Sequence, residues 1–132
     1  MRTISGGFLK KFEIAFKALG EPSRLRILKV LSEREFCVCE LEEILEMSQP
    51  RVSQHLRVLK HAGLVTERRE KQWCFYAANR TALEECLRDF QRFLEQPIKD
   101  CPEFAEELRR METLETNSEV RSCRERQVSK SD

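Results

Sequence analysis

The sequence predicts a mainly α-helical domain with one small β-hairpin, and three observations carry that expectation. Its 132 residues suffice for one domain, or one domain and a tail, and not for two of full size. Four glycines and four prolines argue against an all-β sandwich. Apolar residues recur at helical spacing along most of the chain, apart from one strand-like stretch between positions 64 and 77. With 40% apolar and 36% charged residues, a core of modest size is within reach if most of the chain is helical.

The elements follow in order. Phe8, Phe12, Ala15, Phe16 and Leu19 keep a helical period and Gly20 supplies a stop, so a first helix is expected over about 8–19. Pro22, harmless in a first turn, opens a second over about 22–32 with Leu25, Ile27, Leu28 and Leu31. Val38, Leu41, Ile44 and Leu45 give a short third helix from about 37 to 46, acidic on its outer side. Ser48 reads as an N-cap with Pro50 behind it, and Val52, Leu56 and Leu59 carry a fourth helix over about 49–61 until Gly63. Leu64–Arg68 and Trp73–Ala77, joined by polar residues, form a hairpin with a basic tip. A fifth helix starts at Thr81 and ends before Pro97, and a sixth carries Phe104, Leu108 and Met111. Residues 1–96 are thus expected to be the main domain, 97–114 a helical extension, and 115–132, where apolar content collapses, a disordered tail.

Charge is unevenly distributed. The chain has a net charge of +1, but residues 1–47 are neutral, 48–80 carry +5 and 81–132 carry −4. A local cationic stretch on a near-neutral chain is the footprint of a small nucleic-acid-binding module. The fourth helix concentrates suitable groups opposite its apolar side. Ser48, Gln49, Arg51, Ser53, Gln54 and Arg57 are donors and acceptors that reach phosphates and base edges, and Lys60 lies on the same face. His55, beside Leu56, is expected to be packed and hydrogen-bonded rather than a base reader. Arg68, Arg69 and Lys71 at the hairpin would grip phosphates. Two short helices, the second basic outside, followed by a basic hairpin make a winged helix-turn-helix, whose second helix enters the major groove.

The segments Phe16-Lys17-Ala18-Leu19-Gly20-Glu21-Pro22-Ser23-Arg24-Leu25-Arg26-Ile27-Leu28, Ser48-Gln49-Pro50-Arg51-Val52-Ser53-Gln54-His55-Leu56, Ala62-Gly63-Leu64-Val65 and Arg68-Arg69-Glu70 resemble the ArsR/SmtB family of metal-sensing repressors. The resemblance covers about residues 8–95. It implies a homodimer, paired through its first and fifth helices, that binds an inverted-repeat operator in double-stranded DNA and leaves it when an effector binds. Half-sites of such a dimer lie about one helical turn, ~34–36 Å, or a multiple of it apart.

Within that family, Phe36-Cys37-Val38-Cys39-Glu40-Leu41 resembles the arsenic-responsive branch. Soft thiolates select soft, thiophilic ions, so As(III) or Sb(III) is the expected effector, with Cys37 and Cys39 as ligands. Positions i and i+2 of a regular helix point about 200° apart, so capture of one ion by both predicts unwinding of the third helix's first turn. Where that branch often has a third cysteine, this chain has Glu42. A third thiolate would come from Cys74, Cys86, Cys101 or Cys123, or from the other subunit, and Cys101 is preferred because it stands in a break between helices. The fifth helix contains no histidine, which disfavours the zinc site of the related branch, and no cysteine precedes position 37, which argues against a cadmium/lead site.

Other classes are weaker. A thiol redox or persulfide switch could pair Cys37 or Cys39 with Cys86 or Cys101. An oxidoreductase is disfavoured, because the two cysteines are not spaced as Cys-x-x-Cys and no βαβ pattern accompanies them. No phosphate-binding loop is present, and both histidines, His55 and His61, fall in the fourth helix, so no enzyme and no catalytic cofactor are expected. A purely structural interaction module remains, distinguished by failure to bind DNA. Six cysteines in a chain without a signal-peptide core or an apolar run of about 18 residues point to a cytoplasmic protein with reduced thiols and no membrane association.

Overall fold

The computed structural model describes residues 7–130, and those 124 positions carry seven helices and three strands in the order α1 (Gly7–Leu19), α2 (Pro22–Glu33), β1 (Phe36–Cys37), α3 (Val38–Leu45), α4 (Gln49–His61), β2 (Val65–Glu70), β3 (Trp73–Ala78), α5 (Arg80–Glu95), α6 (Ala105–Glu112) and α7 (Ser118–Lys130). Short 3-10 turns lie between α5 and α6 and before α7. The fold is mainly helical with a small antiparallel sheet, as the sequence predicts. No helix among the described residues is long and apolar enough to cross a membrane.

Helix boundaries are set by side chains near in sequence. Gly20 ends α1 at a close approach, since a Cβ there would stand 3.0 Å from the Phe16 carbonyl oxygen. Glu21 caps α2 by accepting the Arg24 N–H at 3.0 Å, with Pro22 in the first turn where no N–H is needed. α4 closes in a Schellman arrangement: Gly63 adopts φ +75°, its N–H donates to the Lys60 carbonyl at 2.9 Å, and the Leu64 N–H donates to the Leu59 carbonyl at 2.9 Å. The turn delivers Leu64 into the core beside Leu59.

Residues 7–92 and 93–130 form two compact units. In the first, Ile27, Leu41, Val52, Leu59 and Leu64 are almost wholly removed from solvent. They come from α2, α3, α4 and the turn before β2, so the helix-turn-helix and the hairpin share one core. Burial of each such side chain stabilises by about 1.5–3 kcal/mol, which makes that core the main restraint on where α4 sits. Phe90 of α5 meets Phe12 and Phe16 of α1 edge-on at 5.4 and 4.9 Å, joining the first and fifth helices. In the second unit Phe93 and Phe104 lie 5.9 Å apart beside the buried Cys101.

Three features differ from the expectations. The hairpin is part of a three-stranded sheet of order β1-β3-β2, in which Phe36 pairs with Tyr76 and Cys37 with Phe75. A two-residue strand has no periodicity to read. The third helix begins at Val38 rather than 37, because Cys37 is extended (φ −87°, ψ 169°) and serves as its N-cap. Over the expected disordered tail of 115–132, the structure has a helix at Ser118–Lys130. Asn117 accepts the N–H groups of Glu119 and Val120 at 3.1 Å each, capping a segment rich in strong helix formers that has no apolar face. Residues 131 and 132 of that stretch, and residues 1–6, lie outside the described residues.

Candidate nucleic-acid interface and thiol site

α4 is anchored by its apolar side and by its cap. Val52, Leu56 and Leu59 are buried, and Ser48 accepts the Arg51 N–H, at 3.4 Å, so its hydroxyl is engaged in ending the helix. On the outer face Gln49 donates to the Ser53 hydroxyl at 2.7 Å. Arg51, Gln54 and Arg57 are exposed, and among the described residues their side chains make no hydrogen bond or ion pair. Lys60 differs from them: it pairs with Glu67 of β2 at 3.1 Å, and this hydrogen bond holds the Glu67 carboxyl below the usual carboxylate range. His55 is packed and hydrogen-bonded, with its Nδ1 3.3 Å from Arg24 Nη1.

The wing distributes its cations unequally. Arg68 donates to both oxygens of Glu35, at 2.6 and 3.2 Å, and to Glu70 at 3.0 Å, with its guanidinium 4.8 Å from the Phe75 ring centre. Arg68, expected to reach phosphate, is bound here to the loop before β1. Glu35 stands 33 residues away in sequence, so no local pattern announces the pair. Arg69 points out, 79% exposed and 3.9 Å from Glu67. Lys71 stands at the tip in the left-handed region, φ 57°.

The thiols of Cys37 and Cys39 occupy unlike places. Cys37 is buried, forms a rung of the sheet and caps α3, whereas Cys39 is exposed in the first turn of that helix. Glu40 accepts the Cys37 N–H at 3.0 Å in a capping box, and hydrogen bonds from Cys37, backbone first and then thiol, hold the Glu40 carboxyl low. The predicted unwinding therefore loses its premise, because the two cysteines do not both stand on a regular helix. What a ligand on Cys37 would disturb is the junction of β1 and α3. Cys101 belongs to the other compact unit, where it is buried among Phe93, Ile98 and Phe104 and its thiol approaches the Pro97 carbonyl at 3.7 Å. Among the described residues no three His, Cys, Asp or Glu side chains are gathered as a metal-holding group.

Three residues have contacts to which the sequence assigns no role. Arg24, Glu35 and Glu40 each complete a contact described above. Only Glu40 had a readable signal, since a Glu three positions after a helix cap marks a capping box; a cysteine in place of the usual Ser or Thr hid it.

Comparison with known proteins agrees with this geometry. The profile of the family described as "Bacterial regulatory protein, arsR family" matches residues 21–67, from the cap of α2 into β2. An arsenic resistance transcriptional regulator of Pseudomonas putida is 41% identical over 80 residues, which cover 58% of this chain and 62% of that protein. The arsenical resistance operon repressor of Bacillus subtilis is 42% identical over 72 residues, 54% of this chain and 69% of the repressor. Among solved structures, HlyU from Vibrio cholerae superposes with a TM-score of 0.54 at 37% identity, covering 66% of this chain and 95% of that one. The matched part thus spans less than two thirds of the Pseudomonas regulator's length.

Proposed function

The chain belongs to the ArsR family of bacterial regulatory proteins, and from that premise we propose that it is a homodimeric transcriptional repressor that leaves its operator when As(III) or Sb(III) binds the thiolates of Cys37 and Cys39. The observation that carries the reading is the place of Cys37. It is at once the cap of α3, the helix before α4, and a rung of the sheet that bears the wing. A ligand there acts at the joint between the two DNA-facing elements.

The remaining parts fit. Arg51, Gln54 and Arg57 on α4 supply major-groove and phosphate contacts, with Arg69 and Lys71 on the wing beside the duplex. Ser48, Gln49 and Ser53 complete the α4 face, and Arg68 stiffens the wing through Glu35. Leu9 on α1 and Leu87 on α5 stand exposed, 43% and 54%, on the helices through which the dimer pairs. Two soft thiolates within three residues suit a soft trivalent ion; Cys101 is the proposed third ligand. In the competing redox reading Cys37 or Cys39 would pair with Cys86 or Cys101; of these two partners, Cys86 is disfavoured, because burial pushes its thiol up, away from a reactive thiolate.

Sedimentation of the reduced protein, alone and with a duplex from upstream of its own gene, tests the repressor: a dimer alone and one dimer per inverted repeat are expected. Arsenite titration followed in the near ultraviolet, where arsenic–thiolate bonds absorb, tests the ligands. The band is lost in Cys37→Ser and in Cys39→Ser and weakened in Cys101→Ser. A full band in either of the first two variants rejects this site.

A further inference from the structure

We infer that Arg24 and His55 are positioning residues for DNA binding: the Arg24 guanidinium ties the end of α1 to the His55 imidazole and so fixes the orientation of α4. The inference rests on the reading that α4 meets DNA.

Arg24 stands in the first turn of α2, the positive end of a helix, where a cation is locally unfavourable. Its compensation comes from the negative end of α1. Nε donates to the Ala18 carbonyl at 2.7 Å and Nη2 to the Lys17 carbonyl at 3.1 Å, satisfying two acceptors that α1 leaves open at its terminus. The remaining arm, Nη1, lies 3.3 Å from His55 Nδ1. An arginine is always a donor, so Nδ1 accepts and the imidazole carries its hydrogen on Nε2. Glu21, which caps α2 through the Arg24 N–H, has Oε2 3.9 Å from the same Nδ1.

Arg24 and His55 are 31 residues apart, and His55 is only 15% exposed although it lies on the helix that carries Arg51 and Arg57. The apolar contacts of Val52, Leu56 and Leu59 hold α4 against the core, but such contacts are non-directional. The planar fork of an arginine is directional, and lysine cannot reproduce it. All three guanidinium nitrogens are engaged by protein acceptors, which leaves two of the five N–H donors over, so the salt dependence of binding decides whether Arg24 acts through α4 or on phosphate.

The test uses the full chain and a fluorescein-labelled duplex from upstream of its own gene, with anisotropy titrations at several salt concentrations. Arg24→Gln is expected to weaken binding about tenfold, 1.4 kcal/mol, while the slope of log K against log salt stays at the wild-type value, because no phosphate contact is lost. His55→Phe gives the same loss. His55→Gln, whose amide oxygen can accept from Nη1, binds nearly as wild type, and the double variant Arg24→Gln/His55→Phe is no worse than either single change.

A slope lowered by about one in Arg24→Gln would make Arg24 itself a phosphate ligand and overturn the inference. Wild-type affinity in a folded His55→Phe also overturns it. Should Arg24→Gln fail to fold, the His55 pair decides. Hydrogen exchange in the free protein supplies a reading independent of DNA: α4 amides exchange faster in His55→Phe and as in wild type in His55→Gln, and unchanged exchange in His55→Phe contradicts the joint. If the wild type binds no duplex, the DNA reading fails while the exchange result still judges this contact.

Discussion

Arg51 and Arg57 of α4 and Arg68 of the wing carry their charges in different states. On α4, Arg51 and Arg57 stand exposed and, among the described residues, unpaired. On the wing, Arg68 is held by Glu35 and Glu70 and lies over Phe75. Residues 48–80 hold an excess of five positive charges, yet what DNA can use depends on partners far away in the chain. Charge counted along a sequence locates a binding surface, whereas charge free of partners determines its contacts.

The comparison predicts an ordered series of effects. The largest is expected for Arg57→Gln or Arg51→Gln, each costing about 1–3 kcal/mol of duplex binding and lowering the salt slope by about one if the contact is to phosphate. Anisotropy at several salt concentrations measures both quantities, and wild-type binding in both variants would break the assignment of α4. Next comes Ser48→Ala, which removes the cap at the base of the same helix. A loss of about 1 kcal/mol of stability is expected in urea unfolding, with the slope of the transition unchanged.

Arg68→Gln should weaken DNA binding less than either α4 variant and leave the salt slope at the wild-type value, since its guanidinium is already occupied. Loss of a full unit of slope would show that Arg68 exchanges Glu35 for phosphate on the duplex and would erase the contrast between the two regions. The smallest effect belongs to Lys71→Gly. Relief of the left-handed backbone at φ 57° outweighs the freedom glycine adds to the unfolded chain by about 0.5 kcal/mol. Thermal unfolding should rise slightly, and a fall would mean that the Lys71 side chain supports the turn.

Much of the fold was legible because its signals are local. Gly20, Pro22, Ser48, Pro50 and Gly63 act within one turn of themselves, and the stripe Val52, Leu56 and Leu59 names its own buried side. What escaped has partners distant in the chain or patterns too short to read. β1 exists only by pairing with Tyr76 and Phe75, about forty residues on. α7 has an Asn117 cap and helix-forming residues but no apolar stripe, so no hydrophobic periodicity marks it. In the site, the exposed face of α4 followed from helical phase. The engagement of Arg68 by Glu35 and of His55 by Arg24 crosses more than thirty residues and shows only in three dimensions. The role of Cys37 as cap and sheet rung, rather than helix residue, follows from the same pairing of β1 and revises how a ligand there would act.

The most direct measurement is release of a labelled upstream duplex from the reduced protein on addition of arsenite, in the wild type and in Cys37→Ser and Cys39→Ser. The account predicts that arsenite lowers the anisotropy of the wild-type complex to that of free DNA and leaves both variants bound. A wild-type complex that persists at saturating arsenite, or variants released as readily as wild type, would contradict it.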